Sequence, residues 1–303
     1  MASASLPPRA AAGPAASIVI PVRNRAEQIV RSVQSVLAQT VVDLEVVVVD
    51  DGSDDNTAAV AGAIADPRVR VVSMPESRGP GGARNAGVMQ SSGPLVGFLD
   101  SDDVVTPDWL ERLSAPFEAP DVVAATCGYA RIVDGRELDR LPAPLGLGPA
   151  FHDIRACFQA GTFLVRRSAF EAIGGYVGAL RFGENTELAL RLCDWTAMHH
   201  QRIAAVDDAL LHWTMRDEKG YPPALRANAA RYTLEHHHSL LALDRFMLSA
   251  HYAIVGHGAA HSRQWSDARR QFFRAWRAQP RQAKAIGRLA LSCVPVLRDR
   301  QWQ

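Results

Sequence analysis

A chain of 303 residues, 48% hydrophobic and 21% charged, has the apolar content for one large core or two small ones. A net charge of +1 gives no global attraction for nucleic acid, and no run reaches the roughly 18 apolar residues that span a bilayer. The cysteines Cys127, Cys157, Cys193 and Cys293 lie far apart with no CxxC pair, which argues against a zinc or disulfide framework and for a reducing, cytoplasmic setting.

Taken in chain order, MASASLPPRAAAGPAAS has no continuous apolar core behind a basic stretch, so residues 1–16 read as a disordered leader. SIVIPV (17–22) is a buried strand. Asn24 is placed to cap the helix that follows, with Glu27 three residues on, and Ile29, Val33, Val36 and Leu37 fall on one helical face. LEVVVVD (44–50) is a second apolar strand, ending in DDGSDDNT. A helix at 58–65, a strand at 69–72, a helix at 83–90 and a strand at 95–99 continue the alternation. Strands alternating with helices predict an α/β sheet of largely parallel strands, whose ligands bind beyond the strands' carboxyl ends.

Both 44–50 and 95–99 end in acids. In FLDSDDVVTPDWL (98–110), Asp100, Asp102 and Asp103 crowd together and repel one another. Turn and capping chemistry explains one such cluster, but Thr106 and Pro107 already supply a cap and first turn for the next helix. Two acid clusters on one sheet edge point to a ligand site, and several carboxylate oxygens suit a hard divalent cation.

Beyond residue 120, VVAATCGYARIV (122–133) reads as a strand and RLPAPLGLGPA (140–150) as a loop. GTFLVRRSAFEAIGG (161–175) reads as a strand, a Ser168 cap, a short helix and a glycine stop, and GENTELALRL (183–192) opens another helix. From Arg226 onward the chain looks wholly helical. From His261 to Gln303 it carries ten Lys or Arg against Asp267 and Asp299.

SIVIPVRN, VVVDDGSDDNT, GPGGARNAG, FLDSDDVVTPDWLE and GENTELALRL occur in an order and spacing that resemble family-2 glycosyltransferases of the GT-A fold, the inverting, nucleotide-sugar-dependent class. The resemblance covers residues 16–215, about two-thirds of the chain. It implies a Rossmann-like mixed sheet flanked by helices over 17–225, with a helical extension over 226–303. It also implies transfer of a sugar from a nucleoside diphosphate donor, UDP first by family frequency, to an unidentified hydroxyl acceptor, with Mg²⁺ or Mn²⁺.

Residue by residue, the resemblance implies that Asp51 accepts the base N–H, beside the sharp turn at Gly52, while Asp50 forms the turn. Pro21, Val22 and Arg23 border the same pocket, and Arg84 contacts the nucleotide. Asp100 and Asp102 form the D-x-D signature. Asp102 is the direct metal ligand, Asp100 reaches the ribose or the metal through water, and Asp103 supports the loop. His212 stands where relatives place a metal or phosphate ligand, against the structural role of a lone histidine.

Inverting transfer needs a general base, and the family's Glu-Asp-x-x-Leu has an Asp there. This chain has Asn185, which cannot accept the proton. Glu184 or Glu187 takes the role, with Glu184 preferred; acids enriched in a first helical turn are the structural alternative. The missing Asp also motivates a second reading, a degenerate fold serving as a binding or scaffold subunit. A third, nucleotidyl transfer, lacks its glycine-rich, lysine-bearing loop. The basic C-terminal helices suit either packing, including self-association, or peripheral contact with anionic lipid at the inner membrane face.

Overall fold

A computed structural model describes residues 13–143, 159–214, 221–281 and 283–294. The leader as far as residue 12, most of the loop expected at 140–150, Cys157 and residues 295–303 lie outside them. The first half alternates as its periodicity requires: β1 (Ala16–Val22), α1 (Ala26–Leu37), β2 (Leu44–Asp50), α2 (Thr57–Gly62), β3 (Val69–Ser73), α3 (Gly79–Met89) and β4 (Leu95–Phe98). Then come β5 (Val104–Val105), α4 (Trp109–Ser114), β6 (Val122–Val133), β7 (Arg136–Leu141), β8 (Phe163–Arg166), α5 (Arg167–Ala172), α6 (Glu184–Met198) and β9 (Arg202–Thr214).

One nine-stranded sheet runs in the order β3-β2-β1-β4-β8-β6-β9-β5, with β7 added on β6. Strands β3, β2, β1 and β4 are parallel, as expected. The rest of the sheet is mixed, which corrects the reading of a largely parallel sheet. β8 runs antiparallel to both β4 and β6, and β5 runs antiparallel to β9. Both faces of β1 are covered, which is why SIVIPV carries no polar alternation. Ile18, Ile20 and Val22 pack with Ile29, Val33 and Val36 of α1, while Val19 packs on the other face with Ala83, Val88 and Phe98.

Local details depart from expectation for identifiable reasons. Asn24 does not cap α1; it is left-handed at φ 52°, a conformation Asn tolerates. Its N–H donates to Ser53 Oγ at 3.0 Å and its Oδ1 accepts from Asp54 N at 2.8 Å, pinning the β1 exit to the β2 exit. Ser168 lies inside the first turn of α5, after Arg166 in the cap position. Helix α3 starts four residues before the expected Ala83, through glycines that lower intrinsic propensity. Those glycines permit close packing: a Cβ at Gly87 would run into the side chains of Val19 and Val49.

The C-terminal part is helical throughout its described residues: α7 (Pro223–His236), α8 (His238–Ala242), α9 (Arg245–His261), α10 (Trp265–Ala278) and α11 (Ala283–Cys293). Asp244 caps α9, accepting from Phe246 N at 2.8 Å and Met247 N at 3.2 Å. On α9, Gly256 admits Phe272 of α10 and Gly258 admits Ala227 of α7. The apolar stripe of α10, Ala268, Phe272 and Ala275, is therefore buried in helix packing. Leu241 and Met247 join the same core as Phe98 and Phe163, so these helices are continuous with the sheet domain's interior. No helix among the described residues is long and apolar enough to cross a membrane.

Candidate active site

The carboxyl ends of β2, β1 and β4 lie side by side, because the register pairs Val22 with Asp50 and Val19 with Phe98. That edge gathers Arg23 and Arg25 after β1, Asp50 and Asp51 at the end of β2, and Asp100, Asp102 and Asp103 after β4. Pro21 and Val22 are buried within the strand and shape the edge from below, while the Arg23 side chain is half exposed.

Asp50 does what its turn position suggests, with Oδ1 accepting from Ser53 N at 3.2 Å and from Ser53 Oγ. Asp51 is buried at 5% exposure. Its carboxylate accepts from Arg78 N at 2.7 Å, Ser77 Oγ at 2.8 Å and Gly79 N at 2.9 Å. It thus satisfies the free N-terminal donors of α3 from a neighbouring strand, a contact that sequence adjacency could not reveal. Arg181 holds the same loop by donating to Ser77 Oγ and Ser77 O, both at 3.1 Å. Gly52, at φ 69°, has to be glycine: a Cβ would sit 3.1 Å from Ser77 N.

Arg84, expected at the nucleotide, has its side chain only 2% exposed and bridges two acids. Nη2 donates to Asp100 Oδ1 at 2.7 Å and Nη1 to Glu184 Oε1 at 2.9 Å. The guanidinium also lies 5.2 Å from the centre of the Tyr176 ring. Burial works against its charge, but Asp100, Tyr176 and Glu184 outweigh that and raise its pKa above the ordinary arginine value. Arg84 therefore connects the acid motif after β4 to the first turn of α6.

Arginines approach two of the β4 acids, Arg84 at Asp100 and Arg25 at Asp102. Asp102 lies 3.1 Å from Arg25 Nη1, and Arg31 Nη2 donates to the Asp102 carbonyl at 2.9 Å. Asp103 is 2% exposed and accepts from Thr214 N at 2.8 Å, tying the loop to β9. Burial first, then the neighbouring Asp100, pushes its carboxyl well above the usual range. This is the supporting role expected of it.

The two candidate bases have separate surroundings. Glu184 uses Oε1 for Arg84, leaving Oε2 without a protein partner among the described residues. Glu187 points elsewhere, with 1% of its side chain exposed. It accepts from Arg191 Nε at 2.6 Å and Nη2 at 2.5 Å, and lies 2.9 Å from His237 Nε2. The structure makes Glu187 a clamp between α6 and the helices that follow, not a group facing the acid cluster. Asn185 has a partner too: the Tyr176 hydroxyl donates to its Oδ1 at 2.9 Å.

His212 sits on β9 opposite Ala130 of β6 and opposite Val104 of β5, the residue that follows Asp103. Among the described residues no group of three or more His, Cys, Asp or Glu side chains converges to hold a metal ion. The sequence reading missed Arg25, Tyr176 and Tyr221. Arg25 follows the β1 exit closely enough to have been flagged, but Tyr176 and Tyr221 carried no local signal. The Tyr221 ring packs on Phe182 with centroids 4.6 Å apart, and burial, then the charges of Asp100, Glu184 and Asp102, raise its pKa.

A mixed sheet of this order, with its acids on the carboxyl edge of the parallel half and helices on both faces, defines the GT-A class of α/β proteins. The model of the family described as "Glycosyl transferase family 2" matches residues 17–174, and the chain belongs to that family. It is 42% identical over 163 residues to the succinoglycan biosynthesis protein ExoO of Rhizobium meliloti, covering 51% of this chain and 46% of that protein. It is 33% identical over 218 residues to the pre-mycofactocin glycosyltransferase of Mycobacterium tuberculosis, covering 66% of this chain and 44% of that one. The chain thus spans less than half the length of either.

Two solved structures share the fold at 17% identity. Staphylococcus aureus TarS 1-349 in complex with UDP-GlcNAc gives a TM-score of 0.63, covering 95% of this chain and 89% of that one. The mannosyltransferase PcManGT of Pyrobaculum calidifontis, in complex with GDP-Man and Mn²⁺, gives 0.58, covering 96% and 88%.

Proposed function

We propose that the chain transfers a glycosyl group from a nucleoside diphosphate sugar to a hydroxyl acceptor with inversion, using Glu184 as the general base. The observation that carries this reading is the Arg84 bridge, which sets Glu184 and Asp100 on either side of one guanidinium at the carboxyl edge of the sheet. Oε1 of Glu184 is anchored by Arg84, and Oε2 takes the acceptor's proton as its oxygen attacks the anomeric carbon. Asp51 and Gly52 line the nucleobase side of the edge, and Pro21, Val22 and Arg23 close it from β1.

The donor set suits a hard divalent cation, because Asp100 and Asp102 offer carboxylate oxygens at an open edge, with Asp100 43% exposed. Mg²⁺ is usually held by one or two carboxylates plus substrate phosphates, so two protein acids suffice. Asp102 and Asp100 would hold Mg²⁺ or Mn²⁺, exchanging their contacts with Arg25 and Arg84. When bound, the metal would offset charge on the departing diphosphate.

UDP-GlcNAc in TarS and GDP-Man in PcManGT make uridine and guanosine diphosphate sugars the first donors to test. The assay is nucleoside diphosphate release with Mn²⁺ and a panel of sugars and acceptors. Release that is absent with every donor, while nucleotides still bind, would favour the scaffold reading that Asn185 motivates.

A further inference from the structure

Residues of α7, α9 and α11 line an open cleft of about 390 Å³. Arg226, Lys284 and Arg288 all line it, together with His257, and none of its lining residues is acidic. Solvated cations ordinarily separate or pair. Asp267 of α10 takes Arg231 and Arg270. No ion pair to Arg226, Lys284 or Arg288 occurs among the described residues. His257 registers the resulting field: burial, followed by His261, Arg288 and Arg226, lowers its pKa to about 4. At neutral pH its ring is an uncharged donor or acceptor beside three fixed cations. The lining also includes apolar side chains of α9, among them Ile254 and Phe246, which is 47% exposed.

We propose that this cleft binds a phosphate-class oxyanion carried on an apolar group. Two guanidinium forks and one ammonium match phosphate oxygens, and charge-assisted hydrogen bonds are the strong ones. Phe246 and Ile254 then cover the attached carbon chain. The same chemistry is offered by a soluble alkyl phosphate or by the head of an anionic phospholipid. No residue of the acid edge lines the cleft, and the proposal does not rest on the transferase reading.

The test uses the full chain and two probes. Isothermal calorimetry with hexyl phosphate should show binding at least tenfold tighter than with inorganic phosphate, because the alkyl chain buries apolar surface. Lys284→Gln/Arg288→Gln should weaken hexyl phosphate binding at least tenfold. Arg226→Gln, at an exposed position, provides a second variant expected to weaken it several-fold with an unchanged melting curve.

Flotation with phosphatidylcholine vesicles, with and without phosphatidylglycerol, separates the sources. Flotation that needs phosphatidylglycerol and is lost in the double variant assigns the site to a lipid head. Hexyl phosphate binding without flotation assigns it to a soluble phosphate. If neither probe binds, or if the variants bind as the wild type does, the proposal is overturned.

Discussion

Exchanging Glu187 for Gln tests the division of labour between the two acids of α6. Glu187 is 1% exposed and satisfies Arg191 through two hydrogen bonds and His237 through a third. Removing one partner of a buried ion pair costs about 3–5 kcal/mol. Gln retains one acceptor oxygen, and Arg191 is 20% exposed and can rehydrate, so we expect a loss of about 2–3 kcal/mol. For a chain of this size that is a fall in melting temperature of roughly 5–10 °C. Below that temperature kcat should stay within about twofold of wild type.

Glu184→Gln should behave in the opposite way. Loss of a general base costs about 10²-fold or more in kcat. Donor affinity should be nearly kept, because only transition-state chemistry is removed. The measurements are calorimetric melting and steady-state release of nucleoside diphosphate. A Glu187→Gln protein that melts like wild type but loses turnover, alongside an active Glu184→Gln, would refute the assignment.

The same clamp predicts a pH dependence. Burial tends to raise the Glu187 carboxyl, but hydrogen bonds from Arg191 and His237 prevail and hold it below the ordinary value of 4.5. A depressed folded value means the unfolded chain binds the proton first. The stabilisation is present above the unfolded value and is lost as pH falls through the folded one. Wild-type melting should therefore drop on acidification more steeply than that of Glu187→Gln, and parallel curves would contradict the clamp. Asp102→Asn removes one charge without changing shape, and should abolish Mn²⁺-dependent donor binding and turnover with little change in melting; wild-type turnover would sink the metal reading. Asp51→Ala should weaken uridine nucleotide binding by calorimetry, and should also cost about 1 kcal/mol by uncapping α3. Equal affinity in both proteins would reject the base contact. Gly87→Ala should cost about 1–3 kcal/mol by denaturant titration, since the new methyl group meets Val19 and Val49.

Much of the sheet edge was legible in the sequence because it is written locally. A buried parallel strand needs a continuous β-branched run, and SIVIPV and LEVVVVD cannot be satisfied otherwise. The acids that end two such runs share an edge because both strands lie parallel to β1, one on each side of it, so the acid edge was legible from pattern, while the roles of Asp51, Asp100 and Asp102 came from the family resemblance. The twelve-residue strand β6 was recognised for the same reason. Strand β9 was not: its burial is mixed along RIAAVDDALLHWT, so no single period stands out. Missing it left His212 unplaced, because the register with Val104 and Ala130 decides where that residue sits.

What the tertiary structure alone decided is which charges meet. Arg84 and Glu184 are a hundred residues apart, and no spacing rule couples them; they meet because α3 and the start of α6 converge beside β4. The same holds for Glu187 and His237, fifty residues apart, whose contact turns a candidate base into a clamp. Residue type supplies the chemistry a side chain can perform, but its partner depends on packing between distant segments. A carboxylate anchored through one oxygen and one anchored through both are the same letter in the sequence.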